Sequence, residues 1–210
     1  GVLDQWEEIS AERAVYGGGD EPVDDGSCGR LEYLRVEFAG FVPEDSPRPF
    51  SPAITLAGCG SATVLDYVQV HRPLNRGIEI RGGAPILRHV IVDGPRQNAD
   101  QFGVPNDGIA WMEGWTGQAQ FVIAQMYDGG IGLQGMNRPD APDAMPVSDP
   151  TIYNVSIFGR GFRPGTIENG GIRFAQGSRG TVRNVVMTGI RDFSVDAFGT
   201  ALAGAERGIS

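Results

Sequence analysis

Lysine is absent from the 210-residue sequence: all 17 basic residues are arginine, against 26 acidic residues, so the formal net charge is −9. Proteins that bind nucleic acid place clusters of basic side chains against phosphate groups. The acidic balance therefore predicts no nucleic-acid partner. It is compatible with binding of a cation or a neutral sugar, and it could also serve solubility alone.

The sequence also contains no run of 18 apolar residues, which predicts no transmembrane helix. It shows no signal-peptide pattern and opens abruptly at Gly1, as a processed or trimmed product would. Only two histidines and no Cys-x-x-Cys pair are present, which argues against a conventional zinc site.

Turn-forming residues are abundant, with 32 glycines and 14 prolines beside many Val, Ile and Leu residues. This composition predicts many short strands joined by turns, in a single domain with a sizeable core. We expect a partial coil or cap over residues 1–27, the main domain over 28–198, and a tail or the start of a further coil over 199–210.

A six-residue phrase recurs along the chain and reads apolar, any, ring or amide, apolar, any, apolar. It begins at Leu31, Leu65, Leu87, Ala119, Ile152 and Val182. A second phrase, a small residue followed by Ile, any residue and a large apolar residue, precedes most of its copies, and a glycine follows it. Its isoleucines are Ile54, Ile78, Ile109, Ile131 and Ile172.

Repeats of 20 to 35 residues with this content are typical of a β-solenoid. The sequence predicts an all-β, right-handed parallel β-helix of about six coils, with variable loops mainly on one side. In this fold the five isoleucines form one buried column, and the valines of the first phrase form another: Val68, Val90, Val122, Val155 and Val185. An antiparallel sandwich is the alternative, but its strands follow one another at shorter spacings.

His89 occupies the third position of the first phrase, where the other copies have Tyr33, Tyr67, Phe121, Asn154 and Asn184. Stacked coils place such residues about 4.8 Å apart, a spacing at which rings stack and amides form ladders. We therefore interpret His89 as part of an aromatic stack rather than as a metal ligand.

Cys28 and Cys59 lie in glycine-containing turns of successive coils, which stacking brings within the Cα separation that a disulfide requires. A bridge would indicate an oxidising, extracytoplasmic compartment. Two buried thiols are the alternative.

The loops before the short strands carry acidic residues, and stacking is expected to place Asp107 near Asp128, with Asp93 and Asp100 on the same side. These four carboxylates are candidate calcium ligands, since Ca²⁺ takes six to eight oxygens. Ordinary turn chemistry explains Asp and Asn before Gly equally well. No other cofactor is indicated.

Two further side chains are candidates for contact with a ligand or partner. Trp115 follows the turn glycine Gly114: it is a contact candidate if its indole is exposed, and the other interpretation is a large apolar side chain that covers the coil. His71 lies where the strand leaves for its loop and is also expected to be exposed. Trp111 falls on an inward position and is predicted to belong to the core.

The phrases resemble those of a largely uncharacterised family of bacterial secreted or lipid-anchored surface proteins, similar in its coils to pectate-lyase-like β-helices. Six stretches carry the resemblance: residues 12–18, 27–40, 56–72, 77–83, 113–123 and 149–159. It implies a location outside the cytoplasm, supports pairing of the two cysteines, and implies no reaction. Members carry Asp-Asp-Gly before the first strand, whereas this chain has Asn75-Arg76-Gly77 and Asn106-Asp107-Gly108, a departure that weakens an implied cation site.

No catalytic residues can be assigned, because the Asn-x-Asp, Asp-Asp, Gly-His-Gly and Arg-x-Lys motifs of pectin hydrolases are missing. We expect a non-catalytic extracellular β-helix that acts as a structural or binding subunit of a bacterial cell-surface assembly. Its partners would be other protein subunits, the remainder of a longer chain, or a glycan. A polysaccharide-active enzyme that uses loop carboxylates and a calcium-stabilised adhesive module are the alternatives.

Overall fold

The computed structural model describes residues 4–7, 13–16, 25–40, 51–96, 106–138, 141–161 and 168–197. At the N-terminal end, β1 (Asp4–Glu7) and β2 (Arg13–Tyr16) form an antiparallel pair. The described part of the chain contains no helix with the length and hydropathy of a membrane span.

The remaining strands alternate between two parallel sheets of six strands each. The long-strand sheet contains β3 (Arg30–Glu37), β5 (Val64–His71), β7 (Ile86–Asp93), β9 (Gln118–Met126), β11 (Thr151–Gly159) and β13 (Thr181–Thr188). The short-strand sheet contains β4 (Ile54–Ala57), β6 (Ile78–Arg81), β8 (Ile109–Met112), β10 (Gly130–Gly135), β12 (Asn169–Phe174) and β14 (Phe193–Ala197).

Within each sheet the strands lie in sequence order, so each pair of short and long strands forms one coil stacked on the next. The six copies of the first phrase form the long-strand sheet in this order and in parallel. The predicted parallel β-helix of about six coils is confirmed.

The predicted valine column is confirmed, because its members are register partners from Val68 to Val185. The predicted isoleucine column is wrong at one position. Leu133, not Ile131, pairs with both Ile109 and Ile172. In the segment Gly130-Ile131-Gly132-Leu133 two apolar residues, Ile131 and Leu133, each follow a glycine. A shift of two residues keeps the same face inward.

A left-handed residue bends every long strand. The third residue of each phrase has φ between 48° and 59°, and we call these six residues the bend column: Tyr33, Tyr67, His89, Phe121, Asn154 and Asn184. In β5, Leu65 and Val68 are both buried while Tyr67 between them points outward. Apolar side chains three apart therefore share the interior, which strict alternation with period two does not allow.

Candidate functional site

A groove runs along the outer face of the long-strand sheet, parallel to the stacking direction. One wall is the bend column from Tyr67 to Asn184. The floor is a row of outward-facing side chains two positions further along each strand, which we call the outer row: Gln69, Ile91, Ile123, Ser156 and Val186. We call this concave surface the outer groove; its volume is about 600 Å³.

The bend column consists of a stack of rings that continues as a pair of amides. Ring centroids are 5.1 Å apart for Tyr33–Tyr67, 4.3 Å for Tyr67–His89 and 4.9 Å for His89–Phe121, with interplanar angles of 6° to 7°. The Asn184 Nδ2 group donates to Asn154 Oδ1 at 2.5 Å. The prediction that His89 belongs to an aromatic stack is confirmed, and both faces of its ring are covered by the neighbouring rings.

Both histidines pair with an aspartate of the adjacent coil. His89 Nδ1 lies 2.8 Å from Asp66 Oδ1, and His71 Nδ1 lies 2.6 Å from Asp93 Oδ2. Gln69 Nε2 also donates to the Asp93 carboxylate at 3.2 Å. Asp93 is thus engaged by two side chains of β5, and His71 is partly exposed, with 26% of its side chain accessible.

Trp115 is fully buried, which contradicts the prediction of an exposed contact residue. Gly114 has φ of 89°, a conformation that L side chains rarely adopt, and the chain turns there so that the indole enters the interior. Trp115 Nε1 donates to the Pro85 carbonyl at 3.2 Å, and its ring packs edge-on against Trp111. Trp115 therefore contributes to the core and is not available to a partner.

An ion cluster lies at the short-strand sheet, and its carboxylates share arginines. Arg76 donates to Glu79 at 2.5 Å and to Asp107 at 3.0 Å. Arg81 donates to Glu79 at 2.7 Å and to Glu113 at 3.0 Å. Glu79, Asp107 and Arg76 are 0%, 2% and 4% exposed, so the centre of this cluster is closed to solvent.

The two buried carboxyls of the cluster are shifted in opposite directions. Burial raises the pKa of Asp107 above its ordinary value, and Arg76 and the Ile131 N–H only partly offset this effect. Burial would also raise the pKa of Glu79, but the charges and hydrogen bonds of Arg76 and Arg81 outweigh it, so this pKa lies below its ordinary value. Glu79 accepts hydrogen bonds from two guanidinium groups, whereas Asp107 accepts them from Arg76 alone and is affected by Arg173 only through its charge.

Of the four predicted calcium ligands, the structure describes Asp93, Asp107 and Asp128. Asp107 contacts the Ile131 N–H, because β10 is displaced by two residues from the expected register. Asp128 is exposed, and Asp100 lies outside the described residues. Among the described residues, no three His, Cys, Asp or Glu side chains form a group able to hold a metal ion. Calcium binding stays a prediction.

Sequence reasoning identified the bend column but missed both the groove beside it and the ion cluster. The signal for the groove is the fifth position of the first phrase, which is apolar in Ile91, Ile123 and Val186 although it faces outward. The signal for the cluster is the run Gly77-Ile78-Glu79-Ile80-Arg81, where charged residues alternate with buried isoleucines. A charged side chain on a strand whose neighbouring residues are buried needs an oppositely charged partner on the same face of the sheet.

Cys28 and Cys59 form a disulfide with Cα atoms 5.5 Å apart, as predicted. The bridge links the turn before β3 to the turn after β4, and it therefore fastens one coil to its neighbour. Disulfides of this kind are typical of proteins that fold in an oxidising environment outside the cytoplasm.

Comparison with known proteins agrees with this architecture. No curated protein and no solved structure matches the chain significantly. The family described as "Pectate-lyase like beta helix domain" matches residues 5–205, which is nearly the whole chain. The protein therefore belongs to the pectate-lyase-like β-helix domain family.

Proposed function

We propose that the protein is a non-catalytic binding or structural subunit of a bacterial cell-surface assembly, and that the outer groove is its binding surface. The observation that carries the proposal is the apolar part of the outer row, which consists of Ile91, Ile123 and Val186. Val186 is 60% exposed, and Tyr67 and Phe121 in the adjoining wall are 48% and 45% exposed. An apolar concave surface with a few polar groups is the usual form of a ligand site.

The backbone of the bend column supports the same proposal. Rings at φ near +55° are unfavourable, because a left-handed conformation costs an L residue about 1–2 kcal/mol and only Gly, Asn and Asp adopt it readily. Asn154 and Asn184 fit this preference, whereas Tyr67, His89 and Phe121 do not. Strained positions persist where the side chain has a role, and here the rings form the wall of a groove.

A polysaccharide lyase or hydrolase is the alternative function, in keeping with the family description. Fold alone does not supply an activity. Two of the three described candidate carboxylates argue against it, since Asp93 is engaged by His71 and Asp107 by Arg76, while Asp128 is exposed. A calcium-stabilised adhesive module remains a second alternative, without a specific observation in its favour.

The proposal is tested by sedimenting the protein with cell-envelope fragments of the producing cells. We expect wild-type protein to co-sediment and Ile123→Arg, which places a charge on the groove floor, to remain in solution. Tyr153→Arg is the matched control, because Tyr153 lies on the neighbouring strand β11 and outside the groove. Equal sedimentation of Ile123→Arg and wild type would contradict the proposal, as would release of products from a polysaccharide panel.

A further inference from the structure

We propose that the protein stacks end to end on a second copy of itself, so that β13 and β14 of one molecule pair with β3 and β4 of the next. This inference deepens the proposed role as a subunit of an assembly, because it names another copy of the same chain as a partner. It follows from the exposed apolar residues, the ring stack and the charges at the two ends of the described β-helix.

Each end of the β-helix presents two strands that are paired on one side. Among the described strands, β3 pairs only with β5 and β4 only with β6. At the other end, β13 pairs only with β11 and β14 only with β12 within the same described set. The outer edge of such a strand carries backbone N–H and C=O groups that can pair with a strand of another chain.

Apolar side chains at inward positions are exposed at both ends. Leu31 is 43% exposed, whereas its register partners in the later coils are at most 3% exposed: Leu65, Leu87, Ala119, Ile152 and Val182. Val195 is 41% exposed, and its partner Ile172 is 3% exposed. If both sheets continue in the same register, Val182 packs against Leu31 of the next molecule, and Val195 packs against Ile54 of that molecule.

The aromatic part of the bend column ends at an uncovered ring. Tyr33 stacks on Tyr67 through one face, with ring centroids 5.1 Å apart, and yet Tyr33 is 80% exposed. The opposite face of the Tyr33 ring is therefore open. Stacking in register places Asn184 of another copy over this face, and the column already contains an amide beside a ring, where Asn154 follows Phe121.

The outward charges agree with the same register. The row of residues that precedes the bend column begins at Glu32 and ends at Arg183, and both are exposed. Continuation of the sheet brings Arg183 next to Glu32 of the next molecule, as Asp66 and Arg88 already lie side by side within one chain. Opposite charges on adjacent strands stabilise a sheet, whereas like charges destabilise it.

The direction of stacking follows from the spacing of the inward residues. In β3 these are Leu31, Leu34 and Val36, which are three and then two positions apart. Two β3 strands that meet head to head run antiparallel, and the reversed spacing cannot align all three residues. The inward residues of β13 have the same spacing in the same direction: Val182, Val185 and Met187. Parallel contact of β13 with β3 aligns all three, and this heterologous contact propagates into an open filament.

The inference is tested by sedimentation velocity of the purified protein, without envelope material, over a range of concentrations. We expect the wild type to form species that grow with concentration. Arg183→Glu and Glu32→Arg each create a pair of like charges at the junction, so each variant alone should self-associate at least about tenfold more weakly. An equimolar mixture of the two should assemble again, because every junction between unlike molecules then joins opposite charges.

Arg88→Glu is the matched control, because Arg88 is exposed and lies in the same row within the β-helix rather than at its end. It should assemble as the wild type does, and circular dichroism verifies that all variants are folded. A wild type that is monomeric at every concentration would overturn the inference, as would single variants that assemble like the wild type or a mixture that does not recover. Envelope binding that remains sensitive to Ile123→Arg in such a monomer would leave the proposed function intact.

Discussion

The indole of Trp111 occupies the space that a side chain at Gly135 would need. The two residues are register partners in β8 and β10, and a Cβ at Gly135 would lie 2.5 Å from Cζ2 of Trp111. Trp111 is fully buried, and its Nε1 donates to Ser178 Oγ at 3.1 Å. One coil thus fills the interior with its largest side chain because the next coil contributes none.

Gly135→Ala is therefore expected to destabilise the protein by about 1–3 kcal/mol, the usual effect of overpacking a closed core. Urea unfolding of the wild type, Gly135→Ala, Trp111→Phe and the double variant measures the coupling. We expect the double variant to be more stable than the sum of the single effects predicts, because the smaller ring makes room for the methyl group. Strict additivity would show that the two residues do not compete for space.

The bend column predicts an unusual order of substitutions at position 121. Phe121 has φ of 59°, where asparagine is tolerated and a β-branched residue is strongly disfavoured. We expect Phe121→Asn to be more stable than Phe121→Val by about 1–2 kcal/mol, although valine is the better strand former. Urea unfolding of the two variants decides this, and a more stable valine variant would mean that the strand is not bent there.

The disulfide prediction concerns both chemistry and stability. Mass spectrometry without reduction should find Cys28 and Cys59 linked, two hydrogens lighter than the free thiols. With a sequence separation of 31, replacement of both cysteines by serine should cost roughly 3–4 kcal/mol according to the loop-entropy relation. Free thiols in protein isolated from the producing cells would remove the argument for an oxidising compartment.

The ion cluster predicts opposite pH dependence for two variants. Since the folded pKa of Asp107 is raised, its charged form costs stability above that pKa, and this cost disappears as the pH falls toward the ordinary value of about 4. Since the folded pKa of Glu79 is lowered, it contributes stability above its ordinary pKa of about 4, and this contribution disappears as the pH falls through the folded value.

Free energies of unfolding of the wild type, Asp107→Asn and Glu79→Gln, measured across this pH range, test both signs. The advantage of wild type over Asp107→Asn should grow as the solution becomes more acidic, and its advantage over Glu79→Gln should shrink. Parallel changes in the two comparisons would contradict the assignment of one arginine to Asp107 and two to Glu79.

The sequence predicts the coils well because each coil repeats the same burial pattern. The valines from Val68 to Val185 carry enough information to give both the sheet and its order. The sequence does not determine the register of β10, because Ile131 and Leu133 both suit an inward position. In the structure Leu133 is the residue that pairs with Ile109. The contact of Asp107 with the Ile131 N–H could not be predicted for the same reason.

The groove is less predictable for a different reason. The first phrase spaces its apolar residues three and then two apart, as in Leu65, Val68 and Val70, and this spacing requires an extra outward residue. The sequence indicates which residue is extra, but the concave surface depends on the left-handed φ angle that this residue adopts. Likewise, whether the indole of Trp115 is exposed or buried depends on the direction in which Gly114 turns the chain. A glycine at that position does not by itself determine the direction.

The central claim, that the outer groove is where this β-helix binds, is tested most directly by methyl NMR of isoleucine-labelled protein. Soluble fragments of the cell envelope of the producing cells are the titrant. The account predicts saturable shifts of the Ile91 and Ile123 methyl groups, while Ile78 and Ile109 in the core behind the short-strand sheet stay unchanged. Shifts confined to Ile78 and Ile109, or the absence of saturable shifts at Ile91 and Ile123, would contradict it.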